Sequence, residues 1–238
     1  MSAYCRASCK AVFVGSVLIG AMWQACAQTV RPVIVQYGGG SAQGKVELIN
    51  NALQPLNVVL EPMSFTIAQD GNGVYGPLSR DIHLKLSAMS FRIPPKQSRF
   101  VFYEAKPDKL PAWFVIYSIF AGRASQSGIN VQLRLPHTVY ILQKQPLEKQ
   151  DVMIKSADYS PQKHKAIIVL ANNSTKLGRA QEWQVSGKAT KTVNPGFPLL
   201  PQSERRLELD WNSPTPPDVF LVRFDHFILQ EDLHVHRE

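Results

Sequence analysis

Few residues of this 238-residue chain could do covalent or metal chemistry. Its three cysteines, Cys5, Cys9 and Cys26, all fall within the first 27 residues, so the remainder has no thiol nucleophile. There is no His-Glu-x-x-His pair for a metal, no Gly-x-Ser-x-Gly elbow for a serine nucleophile and no phosphate-binding loop. Gly38-Gly39-Gly40 and Gly71-Asn72-Gly73 have the composition of turns. His234 and His236, alternating on a strand with Glu231 and Asp232 beside them, are metal-ligand types. They sit in a polar C-terminus, and no metal or cofactor is expected there. Asn172 and Asn173 both open N-x-[ST] sequons, for which turn formation is the expected role. With no catalytic set, the chain reads as a binding protein and not as an enzyme.

What it can offer a partner is apolar surface at a strict spacing. In Ser127 to Leu142, SGINVQLRLPHTVYIL, residues Ile129, Val131, Leu133 and Leu135 are apolar at every second position, with Asn130, Gln132 and Arg134 between them. That is the period of an extended strand with one apolar and one polar side. After Pro136 the chain is strand-like again in Val139-Tyr140-Ile141-Leu142. Proline donates no ladder hydrogen bond, so part of this strand is expected at a sheet edge. Such an edge could lend its apolar side chains to a partner; the alternative is an ordinary strand packing its own core.

The elements that must position this strand begin after a leader. Met1 to Ala27 has a short basic start (Arg6, Lys10), an apolar run from Ala11 to Met22 and the small-residue ending Ala25-Cys26-Ala27. It reads as a signal peptide cut before Gln28, hence a secreted chain with no permanent membrane anchor. The leader holds two of the 26 basic residues and none of the 18 acidic ones, so a modest positive balance remains. That charge is spread out, which excludes a nucleic-acid groove. Without cysteine, the mature chain must be held by its core, and it is long enough for two ordinary domains.

From Val30 onward, short β-segments alternate with turns: Val33 to Val35, Lys45 to Ile49, Leu56 to Leu60, Phe91 to Ile93, Phe100 to Tyr103 and Trp113 to Phe120, with Gly122 to Gly128 as a polar loop into the organising strand. No stretch has a 3.6-residue apolar repeat, which makes the pattern all-β. About seven strands in roughly a hundred residues is the size of an immunoglobulin-like sandwich. Lys144 to Asp151 reads as a linker. The β pattern resumes in Lys165 to Leu170, Glu182 to Val185, Arg206 to Leu209 and Val219 to Leu229. The expected division is a leader over 1–27, a first domain over 28–143, a linker over 144–151 and a second domain over 152–238.

In order and spacing these segments resemble the periplasmic chaperones of chaperone-usher pilus assembly. Ile49-Asn50-Asn51 matches the family's hydrophobic-x-Asn end of its second strand. Phe91 to Arg99 looks like its F-R-x-x-P-x-x-x-Q-x-x-R turn with contracted spacing. Ile129, Val131 and Leu133 match the alternating apolar residues of its seventh strand. Asn172-Asn173-Ser174 resembles its N-N-G/P-T turn. Gly196 to Arg206 resembles its G-y-x-L-P-G-x-x-R-R strand, especially in the archaic branch. The segment from Leu110-Pro111 to Ile119 lacks the family's acidic and asparagine signatures.

The resemblance implies two immunoglobulin-like β-sandwich domains in a boomerang arrangement, working in the periplasm on pilin or fimbrial subunits that lack a final strand. By donor-strand complementation the seventh strand would fill that gap, with Ile129, Val131, Leu133 and Leu135 as plugs, before delivery to an outer-membrane usher. The free protein could self-associate to hide its edge. The family's carboxylate-anchoring arginine and lysine fall on Pro32 and Thr138 here; the nearby cations are Arg31, Arg134 and His137. The second reading is a secreted two-domain adhesive or structural sandwich whose seventh strand serves only itself.

Overall fold

A computed structural model describes residues 28–122 and 132–235. The leader, the greater part of the polar loop, and Ile129, Val131 and His236 lie outside the described residues. Ten strands form the first sandwich: β1 (Thr29–Arg31), β2 (Ile34–Tyr37), β3 (Ala42–Ile49), β4 (Leu56–Ile67), β5 (Gly73–Pro77), β6 (Ile82–Leu86), β7 (Ser90–Ile93), β8 (Ser98–Pro107), β9 (Ala112–Ala121) and β10 (Gln132–Ile141). One sheet runs β1-β3-β8-β6 and the other β2-β10-β9-β4-β5, with β7 also paired to β4.

After a 3₁₀ turn at Lys149–Asp151 come β11 (Val152–Ser160), β12 (Lys165–Asn172), β13 (Gly178–Ser186), β14 (Lys191–Pro195), β15 (Pro198–Leu199), β16 (Ser203–Asp210), β17 (Val219–Phe224), β18 (Ile228–Asp232) and β19 (His234–Val235). These make a second sandwich, β16-β12-β11-β19 against β14-β13-β17-β18, with β15 on β13; it shares no strand with the first. The chain is thus all-β, in two sandwiches. Among the described residues no helix is long and apolar enough to cross a membrane, and no three His, Asp or Glu side chains group as metal ligands.

Strand β9 shows why the first sandwich sits where it does. Its ten residues, AWFVIYSIFA, carry no charge, because both faces are covered. Phe114, Ile116, Ser118 and Phe120 are buried, the three apolar ones in the core between the sheets with Val46, Leu48, Val101 and Val139. On its other face Val115 joins Phe65 and Tyr140 in a cluster completed by Leu177 and Leu200 of the second sandwich. Polar ties flank that junction. Gln143 Nε2 donates to Leu177 O (3.0 Å) and Gln143 Oε1 accepts from Leu177 N (3.1 Å). Arg206 N donates to Gln69 O (2.7 Å) at the turn between β4 and β5.

Two buried asparagines close loops where glycine-poor turns leave backbone groups unpaired. Asn50 Nδ2 donates to the carbonyls of Gln54, Ile93 and Pro94, while its Oδ1 accepts from Ala52 N. Asn172 donates to the carbonyls of Lys176 and Leu200 and accepts from Ser174. The sequon asparagine at 172 is therefore a buried residue at the end of β12, whose side chain closes the turn that follows.

Candidate functional site: the uncovered edge of strand β10

Strand β10 runs unbroken through Pro136 and pairs antiparallel with β9 along its whole length, from Gln132 opposite Ala121 to Ile141 opposite Ala112. Its other edge is treated differently along its length. Parallel strand β2 covers only the last four residues, Thr138 opposite Ile34 through Ile141 opposite Tyr37. The covering bonds run from Thr138 N to Val33 O and from Leu142 N to Tyr37 O, each 2.7 Å. Between 132 and 137 no described strand lies on that side. Because hydrogen-bonding direction alternates along a strand, the even-numbered residues aim their backbone groups at this edge. Gln132 and Arg134 thus offer an N–H and a C=O there, and Pro136 only a C=O. Proline is tolerated at 136 because the ladder bond it cannot make would have pointed to this uncovered side.

The side-chain parity is the complementary one. Leu133 and Leu135 stand opposite Phe120 and Ser118, both buried in the sandwich, so the apolar side of β10 is its inward side. Leu135 packs against the core, whereas Leu133, nearer the open end, is 37% exposed. A strand added to the uncovered edge would extend this sheet, and these side chains would then face its interior layer. Ser118 Oγ, buried opposite Leu135, has no hydrogen-bond partner among the described residues.

The three cations nearest the expected anchoring positions do not converge. Arg31 is on β1, in the opposite sheet, where its Nε pairs with Glu47 Oε2 at 2.7 Å. Arg134 lies on the outer side of β10, toward the face that meets the second sandwich. There its guanidinium binds Glu61 (2.7 Å) and sits 4.0 Å from the centre of the Tyr117 ring. His137 is inside: it follows Leu133 and Leu135 on the inward parity and has no exposed surface. Its Nδ1 lies 2.6 Å from Pro32 O and its Nε2 3.1 Å from the Tyr103 hydroxyl, itself 2.8 Å from the Tyr37 hydroxyl. A carbonyl can only accept, so Nδ1 donates, Nε2 accepts from Tyr103, and Tyr103 accepts from Tyr37. Burial holds the His137 pKa below its ordinary value, with the Pro32 bond opposing. The expectation of His137 as an anchoring cation is therefore corrected: it is a neutral core residue with both nitrogens engaged.

This network has a structural role that periodicity alone did not reveal. The chain leaves β1 in one sheet, passes Pro32 and enters β2 in the other, and His137 binds the carbonyl at that switch. Tyr37 on β2 and Tyr103 on β8 complete the tie. Gly44 on β3 makes room, since a Cβ there would lie 2.1 Å from the Tyr37 oxygen. The sequence cue for His137 was its odd number, in step with Leu133 and Leu135. Nothing local marked Tyr37 or Tyr103 as its partners.

No protein-family model matches the sequence, and no curated protein matches it. Solved structures do match in fold. A chain of the Salmonella enterica SafA pilin–SafB chaperone complex aligns with a TM-score of 0.55 at 10% identity, over 87% of this chain and 96% of that one. The YadV chaperone gives 0.53 at 12% identity, over 87% and 99%. The CsuC–CsuE chaperone–tip subunit pre-assembly complex of archaic Csu pili from Acinetobacter baumannii gives 0.51 at 13% identity, over 89% and 100%. At these identities the likeness is one of fold.

Proposed function

We propose that this protein is a periplasmic assembly chaperone for pilin-type subunits, which it binds by adding the uncovered half of β10 to a subunit sheet that lacks a strand. The observation that carries the reading is the divided edge of β10. Residues 138–141 are covered by β2, while no described strand covers the same edge of residues 132–137, on the strand that carries alternating Leu133 and Leu135. An edge of this kind is an aggregation hazard unless a partner uses it. Ile129 and Val131, at the same two-residue spacing in the sequence, are the further plugs. Each apolar side chain fully buried in a partner contributes about 1.5–3 kcal/mol, so three or four suffice to hold a subunit. The fold shared with SafB-type and CsuC-type complexes supports the same reading. The protein acts stoichiometrically, without nucleotide, metal or catalytic step, and hands its client to an outer-membrane usher. Arg134, whose present partner Glu61 is on the exposed surface, is the cation on this strand that can take a client carboxylate in exchange.

The test is to purify the C-terminally tagged protein from the periplasm of its host, beside a triple variant carrying Ile129→Asp, Val131→Asp and Leu133→Asp, and to identify bound polypeptides by mass spectrometry. A small subunit with an incomplete sandwich should accompany the native protein and be absent from the variant, while circular dichroism shows the variant folded. The alternative, a structural sandwich whose strand serves its own core, has in its favour the packing of Leu135. It predicts no such subunit and a variant that fails to fold.

A further inference from the structure

Away from β10, buried donors without partners gather at one cavity of the second sandwich. On β16, Arg205 stands opposite Leu170 and Leu207 opposite Ile168, and all three apolar residues are in the second core. Opposed residues share a face, so Arg205 is on the inward side, at the rim of the sandwich. Its guanidinium lies 5.6 Å from the centre of the Phe197 ring and is covered from the first domain by Gly71, where a Cβ would fall 1.7 Å from Nη1. Arg205 Nε and Nη1 are buried and have no hydrogen-bond partner among the described residues; the same is true of Asn194 Nδ2 on β14, in the facing sheet. Both residues line one cavity of about 590 Å³, walled by Trp183 and Phe197 and bordered by Asp70 and Glu208.

The nearby carboxylates are engaged elsewhere. Asp70 accepts from Asn72 N (2.9 Å) and Asn72 Nδ2 (2.8 Å) within its own turn. Glu208 binds Lys165 (3.0 Å) and Arg206 (2.8 Å), and Glu204 binds Lys155 and Gln69. Asp70 at the border acts on the Arg205 guanidinium through space but gives it no acceptor, and buried donors without an acceptor are unfavourable, so what the cavity lacks is a hydrogen-bond acceptor at Arg205 and Asn194.

We propose that this cavity is an oxyanion site that takes one carboxylate between Arg205 and Asn194. Arg205 offers a carboxylate a charged N–H donor, and the amide of Asn194 supplies a further donor from the opposite wall. Asp70 and Glu208 at the border select a singly charged group over a dianion such as phosphate. Since Gly71 covers Nη1, the turn 68–72 yields when the carboxylate enters, so occupancy is felt at the bond from Arg206 N to Gln69 O that joins the two sandwiches. The site is independent of the edge of β10 and of the function assigned to it. The carboxylate comes either from a free small acid or from a polypeptide.

The experiment uses the full mature chain at constant ionic strength. Sodium acetate is titrated against sodium chloride, and a short peptide with a free C-terminal carboxylate against its C-terminal amide. The arginine Nε–H and asparagine amide signals are followed by ¹⁵N NMR. Saturable shifts with acetate, the peptide acid, or both are expected, with none from chloride or the amide; which acid binds identifies the source. Arg205→Met and Asn194→Leu should each weaken binding by about tenfold or more. If Arg205→Met does not fold, Asn194→Leu carries the comparison. The absence of any saturable response in the native protein, or an affinity unchanged by both substitutions, overturns the proposal.

Discussion

Replacing His137 by phenylalanine gives the most discriminating test of the network at the β1–β2 switch. In the folded protein His137 is neutral, donating from Nδ1 to Pro32 O and accepting at Nε2 from Tyr103. A second proton would bring an N–H against the Tyr103 hydroxyl, force Tyr103 and Tyr37 to turn, and place a charge where no surface is exposed. Burial therefore depresses the folded-state pKa below the value of about 6.5 that the imidazole has when unfolded. Below pH 6.5 the unfolded chain takes up a proton that the folded chain refuses. The stability supplied by the neutral ring is thus fully present above about pH 6.5 and is lost as pH falls from there toward the folded pKa, by up to about 1.4 kcal/mol per pH unit.

Phenylalanine fills the space but cannot donate to Pro32 O. Pro32 is exposed, so water replaces part of that bond, and Tyr103 keeps its bond to Tyr37. The cost at pH 7.5 is then about 1 kcal/mol. Urea unfolding from pH 7.5 to 5 should show native and His137→Phe profiles separated by that amount at the upper end and drawing together as pH falls below about 6.5. Profiles that stay parallel across the range would refute both the tautomer assignment and the neutral state.

Gly44→Ala should act on the same network from β3, because its Cβ would fall 2.1 Å from the Tyr37 oxygen and 2.6 Å from that of Tyr103; a loss of about 1–3 kcal/mol is expected in a denaturant melt. Leu133→Asp and Leu135→Asp should separate binding from folding. The first, at a position 37% exposed, should leave the melting temperature within a few degrees of native, whereas the second, packed on the core, should lower it markedly, as differential scanning calorimetry would show. Asn50→Ala strands the carbonyls of Gln54, Ile93 and Pro94 together with Ala52 N, and should cost about 1–3 kcal/mol in chemical unfolding.

The local properties of this protein were legible in its residue pattern. An apolar side chain at every second position requires a strand with one face turned to a core, and the uncharged run of β9 requires a strand covered on both faces. Pro136 forbids a ladder bond on one side, so an edge near it was legible. Such features follow from the geometry of a single extended chain, which no partner is needed to define. Which side of the strand stays uncovered, and where the cover begins, depends on long-range pairing: β2, far upstream in the chain, reaches no further than Thr138. That pairing also sets the fate of the basic residues. Arg31 is drawn into the opposite sheet, Arg134 takes the outer face, and His137 keeps the inward parity through Pro136 into a network with Tyr103 and Tyr37. Arg205 and Asn194, eleven residues apart in sequence, face one cavity only because β14 and β16 belong to opposed sheets. Periodicity sets the direction of a side chain relative to its own strand; what it meets there is set by long-range pairing.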